Sequence, residues 1–291
     1  MRILITGAAG RLGSVAIPQF QKAGFDVLAT DAVLPEESPS VPYEVADLCD
    51  FAACQRLTAG VDAVVHLGNI PHQLRAEPSR GYRQNTSCNF NVFQAAVDNG
   101  VRKILFASSI QVYGFDRVGP PLELRNPGYL PLDENTPALT RNWYGLSKVT
   151  GEIALEHFAR ETPGLEAVAL RYPMLVKAEA RNRQHFMEHG RVNVWRALER
   201  KEAANLLIAC ARASLPGYRH YLPVHPGTQL GFTPQQLIAE FFPDIPLTKP
   251  LEEITTLIDI SRITLETGWY PQPLEAVLPL VDEVPASESC C

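Results

Sequence analysis

The first 110 residues alternate short apolar runs with helix-like segments, and that alternation leaves few folds open. RILIT (2–6), FDVLATD (25–31), VPYEVADL (41–48), VDAVVHLG (61–68) and VRKILFASS (101–109) read as strands. Between them RLGSVAIPQFQKAG (11–24, with Pro18 inside it), DFAACQRLTAG (50–60) and SCNFNVFQAAVDNG (87–100, closed by Gly100) read as helices. Strands alternating with helices build a parallel sheet covered on both faces. Right-handed crossovers then give that sheet a doubly wound order.

The pattern breaks at 115–141, a stretch rich in Pro, Gly and polar residues and too long for an ordinary connection. A long loop directly after a sheet strand is expected to wall an active site. A helix over 142–160 and a strand over 166–172 restore the rhythm. Beyond 172 it loosens into a helix (199–214), a strand (218–224) and a helix over 233–242 with Thr233 as N-cap and Pro234 at its first position. A last helix is expected over 259–269. The expected organisation is a nucleotide-binding α/β domain over 1–172, a smaller substrate-binding lobe over 173–285 and a disordered tail over 286–291.

Composition narrows the partners. Apolar residues make up 46% of the 291, enough for a sizeable core, and the formal net charge is −6 with no long basic run. That argues against nucleic acid as a partner. No apolar window has the length of a membrane span. Met1 runs straight into RILITG, so no signal peptide is expected. Cys49, Cys54, Cys88, Cys210, Cys290 and Cys291 form no CxxC pair and no zinc-spaced cluster. The reading is reduced thiols in a cytoplasmic protein without a metal. The terminal SESCC is not a CaaX box.

ITGAAGRLGS places Gly7, Gly10 and Gly13 between the first strand and the first helix. Glycine there permits a tight turn and close approach of backbone to a pyrophosphate, which the helix N-terminus attracts. Asp31 ends the second strand, where an acid holds ribose hydroxyls and repels a 2′-phosphate. The expected cofactor is NAD rather than NADP, in a Rossmann-type sheet.

NWYGLSKVTGE (142–152) sets Tyr144 and Lys148 four residues apart, one helical turn. An ammonium beside a phenol favours the phenolate, so Tyr144 can act as a base toward a substrate hydroxyl. FASSIQVYG (106–114) follows a central strand and points Ser109 into the same cleft, where its hydroxyl can hold the substrate oxygen.

Together GAAGRLG, SSIQVYG and YGLSK resemble the extended short-chain dehydrogenases/reductases, the NAD-dependent epimerase/dehydratase group, strongly through residue 172 and weakly to about 275. The resemblance implies Ser109, Tyr144 and Lys148 as catalytic residues. It implies cofactor contacts at Gly7, Gly10, Arg11, Leu12, Gly13, Asp31, Asp47, Leu48, Leu67, Gly68, Asn69, Asn85, Tyr144, Lys148 and Pro173. Substrate contacts would come from Asn69, Ser109, Gln111, Tyr144 and Met174, and Arg171 would face the cleft. It also implies a homodimer through the helices 87–100 and 142–160.

Met174 stands where many nucleotide-sugar members carry Asn. Trp195 and Arg196 only ambiguously match a diphosphate arginine, and the second lobe is short. These departures leave room for a free sugar or sugar acid, as in uronate and aldose dehydrogenases, which the chain resembles in length. The expected activity is NAD-dependent hydride transfer at a carbohydrate hydroxyl carbon. Its alternatives are a nucleotide-sugar 4-epimerase or dehydratase, and a non-catalytic dinucleotide sensor, against which the retained Tyr/Lys pair counts.

Weaker signals stay open. His185 and His189 lack a third metal ligand and read as wall or surface histidines. His66 and His72 read as hydrogen-bonded loop histidines. Arg75, Arg80 and Arg83 read equally as an anion site or a solvated helix start, and Trp143 reads as packing.

Overall fold

The computed structural model describes residues 1–72, 77–114, 127–178, 181–182, 197–226, 232–272 and 280–281. Arg75, the first part of the long loop (115–126), His185, His189, Trp195, Arg196 and the tail with Cys290 and Cys291 lie outside them. The strands are β1 (Arg2–Thr6), β2 (Asp26–Asp31), β3 (Tyr43–Val45), β4 (Ala63–His66), β5 (Lys103–Ser109), β6 (Glu166–Tyr172), β7 (Met174–Val176), β8 (Arg181–Asn182), β9 (Ala197–Glu199), β10 (Gly217–Tyr221) and β11 (Leu280–Val281). The helices are α1 (Gly13–Lys22), α2 (Phe51–Thr58), α3 (Pro78–Asp98), α4 (Trp143–Glu161), α5 (Arg200–Arg212), α6 (Pro234–Phe241) and α7 (Ser261–Thr267).

Seven strands form one sheet in the order β3-β2-β1-β4-β5-β6-β10. All its pairings are parallel. The first six follow the doubly wound dinucleotide-binding order, with the reversal beside β1. Side chains alternate between the two faces. Ile3, Ile5, Leu105, Val168 and Leu170 join a core with Ala16 and Phe20 of α1 and Leu206, Leu207 and Cys210 of α5. Leu4, Ile104, Phe106, Ala167 and Ala169 join the opposite core with Leu57 of α2, Val92 and Phe93 of α3 and Leu155 and Phe158 of α4. Buried on both faces, these strands carry the near-continuous apolar runs that made them legible.

Two expectations need correction. The helix expected at 87–100 begins at Pro78, so it has 21 residues. Its first turns, PSRGYRQNTS, are too polar to show an apolar stripe, but Pro at the start is a usable signal. The strand expected in the second lobe, β10, instead extends the main sheet along β6. The sheet therefore runs past residue 172, where the sequence placed the domain boundary.

A buried lysine ties the late segment down. Lys103 Nζ, at the start of β5, donates to the carbonyls of Cys210 (3.0 Å), Ala211 (3.1 Å) and Ala213 (2.5 Å) at the end of α5. Its ion pair with Glu166 Oε2 is 2.8 Å long. A cation on the orphan carbonyls of a helix end satisfies them and the dipole together.

The described part of the long loop is anchored too. Leu130 N donates to Pro246 O (3.0 Å) and Leu132 N to Leu257 O (2.9 Å), so this part of the loop is bonded to the residues before α7.

Candidate active site

The turn after β1 is built for close approach. Gly7 has φ +68°, and a Cβ there would lie 2.6 Å from the Leu67 carbonyl carbon and 2.7 Å from Gly68 N. A Cβ on Gly13 would fall on the Gly7 carbonyl oxygen. The backbones after β1 and β4 thus touch at the reversal of strand order, and α1 opens directly above, its first turn closed by Ser14 N on Gly10 O (3.0 Å) and Val15 N on Leu12 O (3.1 Å). Two bonds fix the turn to β2: Ala8 N to Thr30 O (3.1 Å) and Ala9 N to Asp31 Oδ2 (3.0 Å). Asp31 Oδ1 accepts from Ala32 N at 2.7 Å. The expected ribose acid therefore also braces the glycine turn. A cradle that only glycine fits, under a helix N-terminus and beside a carboxylate, suits a dinucleotide pyrophosphate and ribose. Gly10 and Arg11 on its rim are exposed, while Leu12 is buried beneath.

The segments after β3 and β4 line the same side. Asp47 closes a short turn with its Oδ1 on Cys49 N (2.9 Å). Leu48 is buried so close to Gly68 that a Cβ there would lie 2.7 Å from its Cδ1. Thr6 Oγ1 accepts from both Leu67 N and Gly68 N at 3.1 Å, which leaves its one proton for His66 Nδ1 at 2.8 Å. His66 Nε2–H then donates to Asn89 Oδ1 (3.0 Å), and Asn89 Nδ2 reaches Ser147 O (3.4 Å). Burial, with the Lys148 charge second, pushes His66 down to about 3, so this chain runs through a neutral ring. His66 ends a strand rather than sitting in a loop, whereas His72 is exposed. Asn85, expected at the cofactor, accepts from Ile70 N at its Oδ1 (2.8 Å) and donates its Nδ2 to Ile70 O (3.1 Å) and Ser147 Oγ (3.2 Å). It holds the segment after β4 against α4.

The catalytic candidates gather at the top of β5. Ser109 ends the strand, and its Oγ accepts from Gln111 N (3.2 Å), starting the tight turn Ile110–Tyr113. Asn142 caps α4 through Gly145 N (2.7 Å) and gives its Nδ2 to Gln111 Oε1 (3.1 Å). A Cβ on Gly145 would come within 2.5 Å of Gln111 O, so the start of α4 sits directly on this turn. That contact brings Tyr144 to the end of the strand carrying Ser109.

Lys148 is 3% exposed. Its Nζ donates to Asn69 Oδ1 (2.6 Å) and Ala107 O (2.8 Å), and lies 5.6 Å from the Tyr144 ring centroid and 4.9 Å from that of Phe106. Burial lowers its pKa to about 7, against the upward pull of the Glu152 charge. The ammonium is held beside a half-buried phenol, and among the described residues no carboxylate is in bonding contact with it.

Arg171 does not face the cleft. It is 5% exposed and clamps Glu152, with Nη2–Oε2 at 2.8 Å and Nε–Oε1 at 3.1 Å. Nη1 reaches Tyr113 OH (3.1 Å), and Ser108 Oγ donates to Glu152 Oε1 (2.5 Å). Burial opposes the Arg171 charge, but the hydrogen bonds and charge of Glu152 hold its pKa above the ordinary value. A buried guanidinium demands such a partner, and Glu152 supplies it from one helical turn after Lys148 on α4.

Pro173 is buried and Met174 is 44% exposed at the strand that follows. Arg80 is exposed, and Arg83 pairs with Glu77 (3.1 Å) on the surface, as a solvated helix start would. Trp143 packs on Tyr82 (5.6 Å between rings). Among the described residues no group of three or more His, Cys, Asp or Glu is placed to hold a metal, and no helix is long and apolar enough to cross a membrane.

A family model described as the NAD dependent epimerase/dehydratase family matches residues 3–209. The chain belongs to that family. The uronate dehydrogenase of Pseudomonas putida is 35% identical over 174 residues, covering 58% of this chain and 59% of that protein. The UDP-glucose 4-epimerase of Mus musculus is 30% identical over 204 residues, covering 62% of this chain and 56% of its own. The chain thus spans less than two thirds of these relatives' length. A solved mutated uronate dehydrogenase is similar in fold, with a TM-score of 0.70 and 20% identity over 99% of this chain and 89% of that one.

Proposed function

We propose that this protein is an NAD-dependent oxidoreductase that transfers hydride between a sugar or sugar-acid hydroxyl carbon and NAD. The observation that carries the reading is the buried Lys148 ammonium held beside the Tyr144 ring at the end of β5. NAD, when bound, would supply the hydride acceptor. The glycine turn and the α1 N-terminus would hold its phosphates, Asp31 its ribose, and Asp47 and Leu48 its adenine. Arg11, Leu12, Leu67, Gly68 and Pro173 would complete the cradle. Tyr144 as phenolate takes the proton of the substrate hydroxyl. Lys148 stabilises that phenolate, and Ser109 donates to the substrate oxygen. Gln111 and Met174 would meet the substrate, with the loop before α4 and the segment beyond residue 172 forming its wall.

The likeness to uronate dehydrogenase, at 35% identity, supports a free sugar acid as substrate. The likeness to UDP-glucose 4-epimerase supports a second reading, in which the hydride returns to a nucleotide sugar in the same site. Phe90 on α3 and Ile153 on α4 are 52% and 62% exposed, which supports a homodimer through these helices. The free thiols support a cytoplasmic setting.

The test mixes the protein with NAD and a panel of free sugars and sugar acids while NADH absorbance is followed. Steady growth with one compound supports the dehydrogenase. A silent panel, with UDP-sugars interconverted in chromatograms, replaces it by the epimerase. Asp31→Ala is expected to cut the preference for NAD over NADP roughly tenfold, and a wild type that prefers NADP sinks the ribose assignment.

A further inference from the structure

Two thiols outside the catalytic group face each other beside the proposed adenine turn. Cys49 Sγ lies 3.5 Å from Cys88 Sγ, although 39 residues separate them. Cys49 is half-buried and directly follows Asp47 and Leu48, whereas Cys88 is 5% exposed on α3. Cys54, 1% exposed, has its Sγ on Leu48 O at 3.4 Å. The turn is clamped to the same helix by Asn91 Nδ2, which donates to Leu48 O (3.0 Å) and Cys49 O (2.9 Å).

From this geometry we infer that Cys49 and Cys88 are a reversible disulfide site, and that closing the bond weakens NAD binding. The second half rests on the cofactor reading above. A disulfide is ~2.05 Å long, so the sulfurs must approach by more than an ångström. The long helix α3 is packed on both α2 and α4, and the turn is the part that yields. Pulling Cys49 inward displaces Asp47 and Leu48, the residues proposed at the adenine.

The oxidant class is a hydroperoxide. The Cys49 sulfur, the more accessible of the two, attacks the peroxide oxygen: an S–O bond forms, the O–O bond breaks, and one oxygen leaves as water or alcohol. The Cys88 sulfur then displaces the sulfenic hydroxyl, which leaves as water with the second thiol proton. Two thiols lose two electrons and two protons to one peroxide. Burial, and then the neighbouring Cys49, push the Cys88 thiol well up, and burial pushes Cys54 up to about 12, so neither buried thiol is the readier nucleophile toward the peroxide.

The experiment treats the reduced full-length protein with hydrogen peroxide, blocks remaining thiols, and reads cross-linked peptides by mass alongside NAD affinity by calorimetry. The expected result is a Cys49–Cys88 peptide in the wild type and in Cys54→Ser, and none in Cys49→Ser or Cys88→Ser. The NAD dissociation constant of the linked protein should rise roughly tenfold and return with dithiothreitol. No cross-link, or one between Cys49 and Cys54, overturns the site. A complete Cys49–Cys88 link with unchanged affinity overturns its effect on NAD. A reduced protein that takes no NAD at all instead overturns the cofactor reading and the effect built on it, while the peptide mass still decides the bond.

Discussion

The two ends of β5 hold buried lysines under opposite conditions. At the lower end Lys103 meets a carboxylate and three carbonyls. At the upper end Lys148, from α4, meets one amide oxygen and one carbonyl, with a phenol ring beside it. Both are nearly sealed from water, at 6% and 3% exposure. The lower charge is compensated and holds the fold together. The upper one is left short of compensation, which makes it responsive to whatever enters the cleft and able to favour an anion there.

Exchanging the two losses is the way to break this contrast. Lys148→Met is expected to reduce turnover by ~10²–10⁴, with little change in melting temperature. Tyr144→Phe should fall in the same range while NAD still binds. A turnover that survives either change removes the upper site from the chemistry. Lys103→Met should do the reverse, costing ~3–5 kcal/mol of stability in urea unfolding because Glu166 loses its buried partner, with turnover per folded molecule retained. Equal effects of the two lysine variants on both quantities would collapse the distinction.

The third test is pH. The folded Lys148 titrates at about 7 and the unfolded side chain at 10.5. Between those values the unfolded chain holds a proton that the folded chain has lost, so stability attributable to this residue rises with pH across that window. The rise should be absent in Lys148→Met when urea midpoints are compared at about pH 7 and about pH 9. A wild type and variant with parallel pH profiles would place Lys148 in water. The smallest effect is expected from Asn69→Ala, which removes one acceptor from the ammonium. The side-chain NMR titration of Lys148 should then move down by about one unit, and an unmoved titration would free Lys148 from Asn69.

The sequence was most legible where physics is local. β6 was expected at 166–172 and spans those residues, because a strand buried on both faces is an unbroken apolar run. The glycine turn was legible because Gly7 and Gly13 stand where any side chain would strike backbone. What stayed hidden were pairings across distance. His66 was noticed, but Thr6 and Asn89, 60 and 23 residues away, give it meaning only once β1, β4 and α3 are side by side. Arg171 was assigned to the cleft on resemblance, and nothing local announces that Glu152 takes it inward. The strand at β10 was recognised as a strand, yet its place along β6 depends on a register that no local pattern encodes.

The ties of Lys103 also set an order of events on the ribosome. β5 is made early, but the carbonyls of Cys210, Ala211 and Ala213 that receive its ammonium emerge more than a hundred residues later. At ~5–20 residues per second the wait is on the order of ten seconds. Through that interval a nascent chain holding β1 to β6 has a lysine with Glu166 at most for company and an uncovered sheet edge where β10 will dock. The first half of this protein is therefore an unfinished fold until its second half arrives, and a fragment cut after residue 172 should need a chaperone's shelter rather than stand as a domain of its own.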